Sequence, residues 1–187
     1  MNSEWEIKKL SEVCDEIFAG GDVPKDNCSK EQTALFNIPI FTNGEKNKGL
    51  YGFTNIARVT KPAITISARG TIGYSEIRLE PFFPAIRLIV VIPNTNILDL
   101  AFLKYSISRI AFASSGASIP QLTVPMIKEY TVPIPPIEVQ KAIVNKLDIL
   151  SEELNELEEI YSNKMGKVAE LRKSIINKAF LGKLKID

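Results

Sequence analysis

At one junction the sequence reads Val132-Pro133-Ile134-Pro135-Pro136-Ile137-Glu138-Val139-Gln140, and the composition of the chain changes there. Before it, short apolar runs alternate with Gly, Pro and Asn, which is typical of a loop-rich domain of strands and short helices. After it there is no further proline, and the first glycine is Gly166. The closely spaced prolines at residues 133–136 exclude a helix over those residues. Proline is common at the first position of a helix, so the pair at residues 135 and 136 is a start signal for a helix that follows. We therefore predict an α+β domain over residues 1–136, followed by a region built on one long helix over residues 137–187.

The predicted helix carries an apolar seam. From Ile143 onward, apolar residues recur mainly at steps of four and three, a heptad pattern in which Lys164 replaces one apolar position. A helix over residues 137–181 would be roughly 65 Å long, too long to be covered by a domain with a radius of gyration of about 14 Å. The seam therefore needs a partner, and we predict that the contact is made by Leu147, Leu150, Leu154, Leu157, Tyr161, Val168, Leu171 and Ile175.

Charge is distributed unevenly along the same helix. Residues 138–159 contain seven acidic and two basic residues, whereas residues 160–185 contain seven basic residues and one acidic residue. Two antiparallel copies would place the acidic half of each helix on the basic half of the other. The pattern favours an antiparallel homodimeric coiled coil; the alternative is pairing with another protein or with another part of a larger complex.

Composition argues against most catalytic functions. The 187 residues include no histidine, which is the commonest general base and the usual transition-metal ligand. The two cysteines offer no zinc site, and the glycine motifs do not form a phosphate-binding loop. No apolar run is long enough to span a membrane, and the N-terminus does not resemble a signal peptide. We expect a non-catalytic, cytoplasmic chain with no cofactor of its own.

Local patterns give further expectations for the domain. Ser11 is predicted to cap a short helix that reaches residue 16 or 17. Residues 63–67 are rich in β-branched side chains and favour a strand, and residues 82–92 favour one or two buried strands. The apolar spacing over residues 98–112 favours a helix.

Several short motifs follow one another along the chain. They are Trp5 with Lys9-Leu10, Ile17-Phe18-Ala19-Gly20-Gly21, Ile38-Pro39-Ile40-Phe41, Ile66-Ser67-Ala68-Arg69-Gly70-Thr71-Ile72-Gly73, Ser118-Ile119-Pro120-Gln121-Leu122, the junction at residues 132–143, and Ala179-Phe180-Leu181-Gly182-Lys183-Leu184. Taken singly the glycine motifs are weak. In this order the chain resembles, over nearly its whole length, half of the DNA specificity subunit of a type I restriction-modification system.

The resemblance implies an architecture and a set of partners. The usual specificity subunit of this family has two target-recognition domains, each followed by a helix, and the two helices pack antiparallel. This sequence has one of each, so the resemblance implies that two chains together read a bipartite, palindromic site in double-stranded DNA. It also implies partner methyltransferase subunits that carry S-adenosylmethionine, and in some complexes a restriction-translocase subunit.

A basic region of the domain suggests which residues would contact DNA. Residues 41–128 contain ten basic and four acidic residues, a net charge of +6 in a chain whose total is +1. The candidate loops are residues 42–51, 67–74 and 114–121, because Arg and Gln suit base edges and Lys suits phosphate. We predict contacts by Lys46, Lys48, Arg69, Thr71, Ser118 and Gln121.

Other interpretations remain open at this stage. The six predicted contacts could be solvated surface or turn residues. The whole chain could instead be a protein-interaction scaffold, or a recognition module detached from a fused restriction-methylation enzyme. The scaffold predicts no salt-sensitive affinity for DNA, and the detached module predicts a monomer.

Overall fold

The computed structural model describes residues 5–109 and 121–181. The chain divides into two compact units, Met1–Val144 and Asn145–Asp187. The elements are β1 (Glu6–Lys9), α1 (Leu10–Val13), β2 (Cys14–Ala19), β3 (Cys28–Ser29), β4 (Ile38–Phe41), β5 (Leu50–Thr54), β6 (Ala63–Ile66), β7 (Ser75–Arg78), β8 (Phe83–Pro84), β9 (Ile89–Pro93), α2 (Leu100–Ser108), α3 (Val124–Glu129), β10 (Thr131–Ile134) and α4 (Ile137–Phe180), with a 3-10 turn at Lys46–Gly49.

The described strands of the first unit form three sheets. Strands β1 and β10 make an antiparallel pair. A central sheet has the order β2-β9-β6-β7 and is antiparallel throughout. The third sheet has the order β3-β5-β4-β8, and its β4 and β8 strands run parallel. The fold is therefore α+β with a mixed arrangement of strands, as the sequence predicted.

Strand β9 lies at the centre of the core because both of its faces are covered. Ile89 and Val91 pack in a cluster with the helices α1, α2 and α3, whereas Val90 and Ile92 pack in a second cluster around Phe82. All five residues of the strand are buried. A strand covered on both faces is expected to be continuously apolar rather than alternating, which explains the uninterrupted run at residues 88–92.

The start of α4 is fixed to the first unit by a buried side chain. Gln140 is fully buried, at 0% exposure. Its Oε1 accepts a hydrogen bond from the backbone N of Asp99 at 2.8 Å, and its Nε2 donates to the carbonyls of Ile97 at 2.9 Å and Pro135 at 2.8 Å. Three satisfied partners make burial of the amide tolerable. This is the structural reason for a glutamine in the first turn of the helix.

One local prediction was wrong. The helix expected to begin at Ser11 instead begins at Leu10, with Lys9 as its N-cap, and ends at Val13 after a single turn. Residues 14–19 form strand β2, which pairs with β9 from Cys14 to Ala19. Hydrogen bonding to a distant strand outweighs the weak local preference for helix. The strand predicted near residues 63–67, the buried strands at 82–92 and the helix near 98–112 are confirmed as β6, β8 with β9, and α2.

The second unit is helical. Every side chain from Asn145 to Leu181 is exposed, except Leu147 and Ser151, which are half-buried. The α4 helix ends at Phe180, as the sequence predicted to within one residue. No helix among the described residues is long and apolar enough to cross a membrane.

Candidate nucleic-acid interface

Two of the three predicted contact loops lie side by side. The side chain of Asn43 reaches across, and its Oδ1 accepts a hydrogen bond from the backbone N of Ala68 at 2.7 Å. The backbone N of Gly44 donates to Oγ of Ser67 at 2.9 Å. Residues 42–51 and 67–74, which are far apart in sequence, therefore present one continuous surface.

The end of the third loop joins the same surface. Nη2 of Arg69 donates to Oε1 of Gln121 at 2.7 Å, and the backbone N of Leu122 donates to the carbonyl of Ala68 at 2.9 Å. Arg69 and Gln121, both predicted as contacts from sequence, are thus direct neighbours. Ser118, also predicted, lies outside the described residues.

The remaining predicted contacts are exposed on these loops. Lys46 and Lys48 belong to the 3-10 turn that precedes β5, and Thr71 lies in the turn that precedes β7. The turn at Lys46–Gly49 is closed by a hydrogen bond from the backbone N of Thr42 to the carbonyl of Gly49 at 2.8 Å. A Cβ at Gly49 would lie 2.5 Å from the carbonyl oxygen of Thr42, and φ there is +78°, so only glycine fits.

A buried arginine supports the loops from beneath. Arg78 is 8% exposed, and its guanidinium lies 3.5 Å from the ring centroid of Phe41. Its Nε donates to Oγ1 of Thr65 at 3.2 Å and its Nη2 donates to the carbonyl of Lys48. Burial lowers the pKa of Arg78, and the nearby Glu76 acts in the opposite direction. One of the ten basic residues counted in this region therefore supports the loop rather than adding charge to the surface.

A second polar group lies next to that arginine in sequence. The hydroxyl of Tyr74 donates to Oε1 of Glu76 at 2.7 Å, and burial, with Glu76 close by, raises the pKa of Tyr74 to about 12. Nζ of Lys104 lies 3.9 Å from Oε2 of the same glutamate. These groups neutralise one another, so the outward-facing charge comes from residues such as Lys46, Lys48 and Arg69.

Asn43 has a structural role in this surface that the sequence did not predict. From sequence, an Asn-Gly pair such as Asn43-Gly44 indicates only a turn. In the structure, Nδ2 of Asn43 also donates to the carbonyl of Ile86 at 2.5 Å, so one amide connects three separate segments. The only local signal was that the Asn side chain carries an acceptor oxygen and a donor nitrogen on separate atoms, so that it can join two different backbone groups.

The seam predicted on α4 is uncovered in the structure. Leu147 is half-buried, and the other seven predicted residues are between 43% and 61% exposed. Contiguous exposed apolar surface of this kind marks an interaction site. Within the described residues, no group of Cys, Asp and Glu side chains is arranged to hold a metal ion.

Relatives of known class match most of the length of this chain. Residues 2–164 match the family described as type I restriction modification DNA specificity domain. A Mycoplasma pneumoniae protein described as a type I specificity subunit is 35% identical over 151 residues, which are 81% of this chain and 44% of that protein. A second such M. pneumoniae protein is 34% identical over 147 residues, which are 79% of this chain and 40% of that protein. The chain spans less than half the length of these relatives.

Solved structures share the fold. A chain in a structure concerned with complex assembly and conformational transition of the type I R-M system gives a TM-score of 0.80 at 22% identity, covering 98% of this chain and 47% of that chain. The HsdS subunit of Thermoanaerobacter tengcongensis gives 0.67 at 21% identity, covering 98% and 46%. Specificity subunits are a non-catalytic class, in agreement with the function expected from composition. The match over residues 2–164 shows that this chain belongs to the type I restriction-modification DNA specificity family, which its order of motifs had predicted.

Proposed function

We propose that the Met1–Val144 unit reads a short half-site in double-stranded DNA through the adjoining loops 42–51 and 67–74 and through the loop 114–121, and that two copies of the chain combine to read a bipartite site. The observation that carries the proposal is the convergence of loops 42–51 and 67–74 with Gln121 on one surface. Loops held on a rigid scaffold are where recognition residues are usually found.

Arg69 and Gln121 are the proposed base readers. A guanidinium has five N–H donors, so the bond to Gln121 leaves donors for the edge of a guanine. That bond also holds both planar groups in a defined orientation before DNA arrives, which reduces the entropy lost on binding. Lys46 and Lys48 would contact phosphates, which position the domain but carry no sequence information. Thr71 and Ser118 complete the proposed contact set.

The helix would pair with an inverted copy of itself. Five of its seam positions are symmetric about Tyr161, because Leu154 and Val168 each lie seven residues from it and Leu147 and Ile175 each lie fourteen residues from it. An antiparallel pair with its two-fold axis near Tyr161 would therefore match these five apolar positions with one another. The helix pair would act as a spacer between half-sites about 34 Å apart, one turn of DNA.

The symmetry also accounts for the residue that interrupts the seam. Lys164 lies three residues after Tyr161, and Glu158 lies three residues before it. In the inverted pair each Lys164 would face Glu158 of the second copy. The acidic and basic halves of the helix would then match along their length, whereas a parallel pair would place like charges together.

The chemistry would belong to partner subunits. On this proposal, methyltransferase subunits that carry S-adenosylmethionine, and in some complexes a restriction-translocase subunit, assemble on this chain. Modification of a base would require its extrusion from the duplex by the methyltransferase. This chain would contribute the choice of site.

The main test is to co-express the chain with the methyltransferase subunit of its system and to map methylated bases across the host genome. We expect a split palindromic motif that is absent without the chain. An asymmetric motif would contradict the homodimer, and the absence of any chain-dependent motif would contradict DNA reading. Arg69→Ala should relax the motif at one position in each half-site, whereas Lys128→Ala, an exposed basic residue on α3, should not.

The orientation of the helices can be tested by cross-linking. In a Cys28→Ser background, Tyr161→Cys should form a disulfide-linked dimer, because the two positions meet near the axis. Leu147→Cys is the matched control and should not, because in an antiparallel pair it faces the region of Ile175. Cross-linking of both variants would indicate a parallel pair. Cys14 should not interfere, since burial raises the pKa of its thiol to about 12 and keeps it protonated.

A further inference from the structure

The turn between β8 and β9 has an unusual backbone for its sequence. The backbone N of Leu88 donates to the carbonyl of Ala85 at 3.1 Å, which closes a four-residue turn. Its central residues, Ile86 and Arg87, have φ values of +52° and +59°. Two consecutive positive φ values are the pattern of a type I′ turn, which strongly prefers Asn and Gly. A β-branched isoleucine at such a position is a true outlier.

The surrounding structure holds the turn in this conformation. The backbone N of Ile86 donates to the carbonyl of Gly21 at 2.7 Å, and that of Arg87 donates to the carbonyl of Gly20 at 3.2 Å. On the other side, Asn43 donates to the carbonyl of Ile86. A Cβ at Gly20 would lie 2.6 Å from the carbonyl carbon and oxygen of Pro84, so this close approach needs glycine. The turn is therefore constrained by two separate segments.

Burial of the side chains does not compensate for the backbone strain at Ile86 and Arg87. The side chain of Ile86 is 47% exposed, and Arg87 is exposed beside it. Glycine or asparagine would adopt the same backbone with less strain and would leave the core unchanged. Strained positions that the surrounding structure over-determines occur mainly at functional sites.

The turn adjoins the surface formed by loops 42–51 and 67–74, and a further arginine lies close to one of its neighbours. The side chain of Asn43 forms hydrogen bonds with the backbone of both Ile86 and Ala68, and it therefore connects the turn to the 67–74 loop. Beyond Gly21, Nη1 of Arg58 lies 3.2 Å from the position of a Cβ on that glycine. Arg58 is exposed, and its guanidinium lies 5.2 Å from the ring centroid of Phe18. The basic surface therefore continues past the predicted loops.

We propose that the Ile86–Arg87 turn is a fourth DNA-reading element, in which Ile86 contacts the methyl group of a thymine in the major groove and Arg87, with Arg58, binds the adjoining phosphates. This inference rests on the proposed function of the domain. Apolar contact with the thymine methyl group is a recognised means of reading a base pair, and guanidinium groups suit phosphate. A side chain displayed on a constrained turn loses little conformational freedom when it binds.

The decisive variant is Ile86→Gly, which removes the apolar side chain and also relieves the backbone. We expect thermal stability to be unchanged or higher, while the mapped methylation motif relaxes at one A·T position in each half-site, with about a tenfold loss of discrimination there. Ile86→Asn, which also tolerates the backbone, should give the same relaxation. Leu79→Ala, at another exposed apolar residue, is the control and should leave the motif unchanged.

The outcomes separate the two proposals. If the unaltered chain directs a motif and both Ile86 variants preserve it, the fourth reading element is overturned while the function of the domain stands. If the unaltered chain directs no motif, the proposed function fails and this inference fails with it. Arg87→Gln adds a second readout: a phosphate contact predicts weaker binding to every DNA sequence and a salt dependence reduced by about one counterion.

Discussion

Strand β9 and the part of α4 beyond Val144 are both rich in apolar residues, but they use them in opposite ways. Every residue of β9 is buried, because sheets and helices from the same chain cover both faces. In that part of the helix the leucines are exposed, apart from the half-buried Leu147. The first segment completes a core within one chain, and the second has an apolar face that only another molecule or another segment could cover. The same residue types thus form a core in one case and an exposed apolar face in the other.

The largest effect should come from the core. Phe82 is fully buried and packs edge-to-face on Phe41 with ring centroids 5.8 Å apart. Phe82→Ala should lower the free energy of unfolding of the Met1–Val144 unit by about 4 kcal/mol, because it removes a large side chain and leaves a cavity. Chemical denaturation should give the same loss at high and low protein concentration. A loss that depended on concentration would mean that this core is not self-contained.

A smaller effect is expected where the helix begins. Gln140→Leu would leave the N–H of Asp99 and the carbonyls of Ile97 and Pro135 without their partner. The cost should be about 3 kcal/mol, measured by denaturation monitored through Trp5 fluorescence or circular dichroism. Val139→Ala, at the preceding exposed position, is the control and should change stability by no more than about 0.5 kcal/mol. A nearly neutral Gln140→Leu would show that the helix start is not fixed by these bonds.

The smallest effect should come from the charges that flank the seam. Glu158→Lys should weaken self-association by about 1 kcal/mol, because exposed ion pairs contribute little and are screened by salt. Adding Lys164→Glu should restore association, since the swapped charges attract again in an antiparallel pair. Sedimentation at low and high salt would measure both variants. If the double variant associates as weakly as the single one, these residues do not face each other and the axis is not near Tyr161.

Sequence reasoning succeeded where one segment carried the whole signal. The helix after residue 136 follows from the loss of Gly and Pro and from the heptad spacing, and both patterns can be read without knowing the rest of the fold. Strand β6 was predictable for the same reason, because β-branched residues dominate it. Arg69 and Gln121 were each predicted as DNA contacts from their side-chain chemistry. Nothing in the sequence indicates that they form a hydrogen bond with each other.

The failures involve residues whose environment comes from a distant part of the chain. Residues Cys14–Ala19 form a strand because they make a ladder of backbone hydrogen bonds with β9. No local sequence pattern indicates that pairing. Arg78 was counted as surface charge, yet the ring of Phe41 and the carbonyl of Lys48 enclose it. The positive φ of Ile86 could not be foreseen, because isoleucine locally disfavours it and Gly21 and Asn43 impose it.

The sequence by itself determined the long C-terminal helix, the family and the apolar seam, because periodicity, composition and motif order are properties of neighbouring residues. Only the tertiary structure decided which loops share a surface, which charged side chains are buried inside the fold and which turn is strained. Those features arise from hydrogen bonds and packing between segments tens of residues apart, and such contacts exist only once the chain has folded.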